Sequence, residues 1–258
     1  MLNTTPAESI AGSRRAILGL IALSSVTAAS AQPSAPALAP NMTTHPSQTL
    51  TPKQAVLGPI AAATAIGDIA RLVPALNRGL DAGWTINELK EVLVQMYAYA
   101  GFPRSLNALG EFMKVLNARK QKGVRDTVGS ESGPVPTGAE LLAEGTANQT
   151  KLSGSPVRGP LFDFAPAIDQ YLKTHLFGDI FARSNLDWQS RELATVAALA
   201  ALEGTDSQLL AHNRISMNVG ITAQQLSEFA ANLGNKGFGS ASKRATEALS
   251  KATEPVAK

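Results

Sequence analysis

Two side chains in this sequence have the types needed for acid–base chemistry: the imidazole of His212 and the carboxylate of Glu192. A histidine titrates near neutrality and can hand over or collect a proton. A carboxylate facing one ring nitrogen would fix the tautomer and leave the other nitrogen to act. Two guanidinium groups could hold an anionic substrate: Arg191, beside Glu192, and Arg104, which follows Phe102-Pro103. Their planar fork suits a carboxylate. We therefore expect His212 as proton donor, Glu192 as its partner, and Arg191 or Arg104 as a substrate anchor. Each has a plainer alternative. His212 could be a satisfied core histidine, Glu192 a charge compensating a helix N-terminus, Arg191 a surface arginine, and Arg104 a turn stabiliser.

An internal comparison singles out the first pair. The segment GLDAGWTINELKEVL around Gly83 resembles ISMNVGITAQQLSEFA around Gly220. The shift that lays Gly83 on Gly220 also lays Thr85 on Thr222, Leu89 on Leu226, Glu91 on Glu228, Gly67 on Gly204 and Leu72 on Leu209. Under the same shift Ala55 faces Glu192 and Ala75 faces His212. The sequence therefore reads as one helical unit written twice, with a carboxylate and an imidazole only in the second copy.

Helices must position these groups. Four segments begin with the capping pattern Ser/Thr-x-x-Glu/Gln: Thr51-Pro52-Lys53-Gln54, Thr85-Ile86-Asn87-Glu88, Thr205-Asp206-Ser207-Gln208 and Thr222-Ala223-Gln224-Gln225. Gly83 and Gly220 stand where a helix ends and the next cap begins. The spacing predicts helices over 52–65, 69–82 and 86–100 in the first copy, and over 188–203, 206–219 and 223–233 in the second. Further helices are expected over 105–118 and 241–252, with a short one at 138–145. Asp187 is the expected N-cap for the helix carrying Arg191 and Glu192.

Composition narrows the function classes. The chain has 258 residues, a formal charge of +3 and no cysteine. Disulfides, thiolate catalysis and Cys-ligated metal sites are excluded. Its three histidines show no metal-ligand spacing, so no metal and no cofactor are expected. His175 has no partner at a fixed spacing in this reading, and His45 lies outside the helical units. Basic residues form no stripe interleaved with aromatics, so nucleic acid is not an expected partner. At the N-terminus Arg14 and Arg15 precede the apolar run AILGLIAL and the small-x-small site Ala29-Ser30-Ala31. This reads as an export signal, secretory or twin-arginine, too short for a stable membrane anchor, and implies a periplasmic or secreted protein. Residues 32–49, rich in Pro, Ala, Ser and Thr, read as a flexible tether.

The stretch LDWQSRELATVAALAALEGTDSQLLAHNRISMNVGITAQQLSEF resembles the core of the carboxymuconolactone decarboxylase family, related to alkylhydroperoxidase D. The resemblance rests on Arg191-Glu192-Leu193, the Ala-rich helix, His212 ahead of Gly220, and Gly220-x-Thr222. It is echoed by Gly83-x-Thr85, Glu91 and Tyr99-Ala100-Gly101-Phe102-Pro103. It implies an all-α, alkylhydroperoxidase D-like fold with internal duplication. The implied layout is an export signal at 1–31, a tether at 32–49, a first copy at 50–119, a linker at 120–160 and a second copy at 161–258. The family's thiol branch places cysteines where this chain has Thr205 and Gln208, so thiol peroxidase chemistry is not expected. The decarboxylase branch keeps the histidine. It implies a cofactor-independent carboxy-lyase acting on a small lactone acid or related acid, assembled as a homo-oligomer. A catalytically inactive binding or scaffold protein is the alternative.

Overall fold

The computed structural model describes residues 49–255, which hold fourteen helical segments and no strand. The expected export signal and all but the last residue of the expected tether lie outside the described residues. Thr51 opens α1 (Pro52–Ala55) with a reciprocal capping box to Gln54. After Val56 the chain continues as α2 (Leu57–Ile66), then α3 (Ile69–Asp81), α4 (Ile86–Gln95), α5 (Tyr97–Ala100) and α6 (Phe102–Gln121). The second set is α10 (Trp188–Ala201), α11 (Asp206–Asn218), α12 (Ala223–Asn235) and α13 (Gly239–Thr253).

The punctuation that starts and stops these helices is chemical. Thr85 and Thr222 each close a capping box, with Glu88 and with Gln225. Gly83 (φ 93°) and Gly220 (φ 95°) take the left-handed conformation that turns the chain between α3 and α4 and between α11 and α12. Thr205 departs from the expected pattern. Its hydroxyl donates back to the carbonyls of Leu199 and Leu202, so it closes the end of α10 and does not cap α11.

Two small-residue helices form the centre. Residues 57–65 of α2 and 190–200 of α10 are all buried, and the two helices pack on each other. Ala61, Ala62 and Ala65 on one, with Ala194, Ala197 and Ala198 on the other, keep side chains small and allow close approach. Amphipathic helices close around them, contributing Leu72, Leu76, Leu89, Leu93, Phe112, Leu226, Phe229 and Leu233.

Polar clasps cross between the two sets. From α4, Gln95 Nε2 donates to the Arg191 carbonyl (2.9 Å) and to Thr195 Oγ1 (2.8 Å) on α10. In the other direction, α12 reaches the chain ahead of α1. Glu228 accepts the Leu50 amide at 3.0 Å, and Gln225 donates to the Thr49 carbonyl at 3.0 Å.

The segment between the sets is more structured than expected. α7 runs over Gly138–Ser153, past the short helix expected at 138–145. It packs on a nine-residue π-helical stretch, Leu172–Ile180, reached through α8 (Pro160–Phe164) and α9 (Pro166–Tyr171). The approach is close. A Cβ on Gly145 would lie 1.7 Å from the Lys173 carbonyl oxygen, so only glycine fits there. Leu152, Leu176, Phe177, Ile180, Phe181 and Ile215 form a second, smaller core at this contact. No helix among the described residues is long and apolar enough to cross a membrane.

Candidate functional site

α10 places Glu192 inside the protein because it has no solvent face near its start. Asp187 caps it, accepting the Ser190 amide and hydroxyl at 2.8 Å each. Every residue from Ser190 to Ala200 is then buried, and Glu192 is 0 % exposed. His212 sits on α11, which packs along α10. Its Nδ1 lies 2.7 Å from Glu192 Oε2. A buried ionised carboxylate is costly without a donor, so the pair is an Nδ1–H donating to carboxylate oxygen. That fixes the tautomer. Nε2 makes no hydrogen bond within the protein and is not sealed from solvent, and His212 as a whole is 8 % exposed.

A tyrosine from the first set completes the surroundings. The Tyr99 ring meets the His212 ring edge-on with centroids 5.9 Å apart. Its hydroxyl is buried and faces the Thr195 side chain at poor hydrogen-bond geometry, and Glu192 Oε1 is buried without a partner. Burial, reinforced by the nearby Glu192 carboxylate, pushes the Tyr99 phenol up from its ordinary value of 10.0. Tyr99 is therefore a neutral phenol at working pH. The arrangement is an imidazole steered by a carboxylate, bordered by a protonated hydroxyl, with one ring nitrogen free to exchange a proton.

The two arginines lie elsewhere. Arg191 is 0 % exposed and turns away from the imidazole. Its NH2 donates to Glu91 Oε2 and to the Arg183 carbonyl, each at 3.2 Å, and its NH1 donates to Gln95 Oε1 at 3.2 Å. Arg183 closes on the same Glu91 with three bonds of 2.7 to 3.0 Å. Burial pushes the Glu91 carboxyl up, but Arg183 and Arg191 outweigh it and hold it below the usual carboxylate value of 4.5. Arg191 is thus part of a buried ion-pair network, which does not match the expectation of a free anion anchor. Arg104 donates to the Ala65 carbonyl and covers the end of α2, so it too serves the scaffold.

Residues 166–251 match the carboxymuconolactone decarboxylase family. The match runs from α9 into α13 and contains both Glu192 and His212. No curated protein matches the chain. The helical fold agrees with that family's all-α architecture. Tyr99 lies outside the matched segment, and its place beside His212 is not readable from the sequence because the contact crosses more than a hundred residues. The ion pair of Arg183 with Glu91 spans 92 residues and is equally invisible to local spacing. Asp179 was missed, although it stands four residues after His175 and pairs with it at 2.7 Å. That spacing on a helix was the available signal.

Five surface cavities of roughly 290 to 650 Å³ are lined by other residues. The largest is bounded by Arg158, Phe162, Asp163 and Lys173. Another, of about 510 Å³, is bounded by Lys151, Trp188, Gln189 and Asn218. Neither Glu192 nor His212 lines any of these five cavities.

Proposed function

We propose that the protein is a cofactor-independent acid–base enzyme of the carboxymuconolactone decarboxylase type, a carboxy-lyase for a small carboxylated lactone or related acid. One observation carries this reading: a fully buried carboxylate holds Nδ1 of an imidazole whose Nε2 is open, inside the segment that matches the family. When a carboxylate substituent leaves as carbon dioxide, its bonding electrons remain as an enolate. The protonated imidazole gives its Nε2 proton to the enolate carbon, and Glu192 holds the Nδ1–H throughout. The buried, low-dielectric setting makes that charge pairing stronger than it would be in water. Tyr99 borders the imidazole as a neutral phenol.

We further infer that the chain is an exported homo-oligomer built from two copies of one helical unit. Paired left-handed glycines and paired threonine capping boxes support the duplication. Neither Arg191 nor Arg104 serves as substrate anchor in this proposal, because both are committed to protein acceptors. The test is turnover of a panel of lactone acids by the protein beside His212→Ala and Glu192→Gln variants. Loss of carbon dioxide release in His212→Ala supports the mechanism; equal rates remove the imidazole from it.

A second reading is a binding protein that kept the fold without turnover. The commitment of both arginines favours it. Saturable binding of a lactone acid with no product in any member of the panel would select it.

A further inference from the structure

A second histidine–carboxylate pair lies on the π-helical stretch, and it differs from the buried one in every respect that matters for access. The stretch presents Leu176, Phe177 and Ile180 to the smaller core. Asn148 donates to the Phe177 carbonyl at 3.0 Å, and Gly145 lets α7 press against the backbone at Lys173. One face of the stretch is therefore pinned. The other carries His175 and Asp179, whose side chains are 50 % and 45 % exposed. His175 Nδ1 and Asp179 Oδ2 are 2.7 Å apart. With Nδ1–H donated to the carboxylate, Nε2 carries the lone pair, and the Tyr97 hydroxyl donates to it. Tyr97 reaches in from α5, two residues from Tyr99. Its ring stacks on exposed Phe102 with centroids 4.5 Å apart.

A hydroxyl on a base, and the base held by a third group, is the arrangement that activates a nucleophile. π-Helical turns are rare and frequently occur at functional sites. We propose that Tyr97, His175 and Asp179 form a second site, separate from His212, at which the Tyr97 phenol accepts an acyl group from small aryl esters. The Tyr97 oxygen attacks the ester carbonyl while its proton passes to His175 Nε2, and Asp179 holds the resulting imidazolium. The carbonyl carbon gains a bond to the Tyr97 oxygen and loses its bond to the aryl oxygen. The departing aryl oxide takes the proton from His175. Water then attacks the acyl-tyrosine with His175 as base, which releases the carboxylic acid and restores the phenol. Phe102 offers an apolar ring beside the phenol for the aryl group to lie on.

The chain contains its own controls, because it has three tyrosines in three settings. Tyr97 is held by His175, Tyr99 has a buried hydroxyl, and Tyr171 is exposed and outside the triad. The experiment exposes the full chain to 4-nitrophenyl acetate, quenches it in acid within seconds, and locates acetyl groups by peptide mass spectrometry. The expected result is acetylation of Tyr97 at least about tenfold faster than Tyr171, since a positioned base contributes about 10²–10⁴-fold. His175→Gln should lower Tyr97 to the rate of Tyr171, and Asp179→Asn should fall between. Tyr171 labelling and helix content by circular dichroism should not change. Equal labelling of Tyr97 and Tyr171 in the unaltered chain would overturn the proposal. So would undiminished Tyr97 labelling in His175→Gln. If His175→Gln loses helix content, Tyr97→Phe decides. It keeps the ring stack and must abolish the initial burst of 4-nitrophenol; a burst that persists refutes the assignment.

Discussion

The helices from Pro52 to Gln121 and those from Trp188 to Thr253 share their punctuation and differ in what they bury. Gly83 and Gly220 turn the chain alike, and Thr85 and Thr222 cap alike. Where the first set has Ala55 and Ala75, the second has Glu192 and His212, paired at 2.7 Å. Glu91 and Glu228 diverge in the same way at corresponding positions. Glu91 binds two guanidinium groups, and Glu228 accepts one backbone amide. The stop and start signals are thus enough to set the helices, and chemistry requires only a few side chains placed on them. The half without the pair still contributes, because Tyr99 covers the imidazole from that side.

The largest expected effect tests the pair itself. His212→Ala should lower kcat on a turned-over lactone acid by about 10²–10⁴-fold. The reciprocal change, Ala75→His in the first set, should add no activity, because its matching position holds Ala55 and no carboxylate. Steady-state kinetics read both.

Next comes the contrast between the two glutamates. Glu91→Gln leaves two guanidinium groups facing a neutral amide, one of them fully buried, and should cost about 3–5 kcal/mol. Glu228→Gln should cost about 1 kcal/mol, the scale of a single hydrogen bond. Urea titrations compare them. The Glu91 contribution also depends on pH. Its folded-state pKa lies below the unfolded value of 4.5, so the stabilisation is complete above that value. It disappears as pH falls through the folded-state pKa. Glu91→Gln should therefore lower stability most at neutral pH, and the gap to the unaltered chain should narrow in acid.

Caps give the smallest effects. Thr85→Ala and Thr222→Ala should each cost about 1 kcal/mol, because each removes a capping oxygen. Thr205→Ala should leave the start of α11 intact and loosen the end of α10. Amide exchange at Leu199–Leu202 against that at Leu209 separates the two ends.

Local signals were readable in the sequence, and long-range ones were not. Thr51, Thr85 and Thr222 announce their helices because a cap acts within four residues. Thr205 carries the same letters, yet its hydroxyl found the carbonyls behind it first. Glu192 and His212 were legible through the internal comparison and the family resemblance, not through periodicity. The buried position of Arg191 is not legible locally, because an arginine ordinarily seeks solvent and its partners Glu91 and Gln95 come from about a hundred residues away. The length of α7 is obscured by the Gly, Ser and Pro around it; Gly145 serves contact with the π-helical stretch, and the left-handed Gly154 ends the helix.

The crossed clasps bear on how the molecule could be divided. α4 grips the head of α10, while α12 grips the residues that lead into α1. Each half thus finishes the other's entrance, like two hands holding opposite wrists. Expressed apart, the halves would expose α2 and α10 to water and lose both grips. Mixed together, they should find each other and restore the whole.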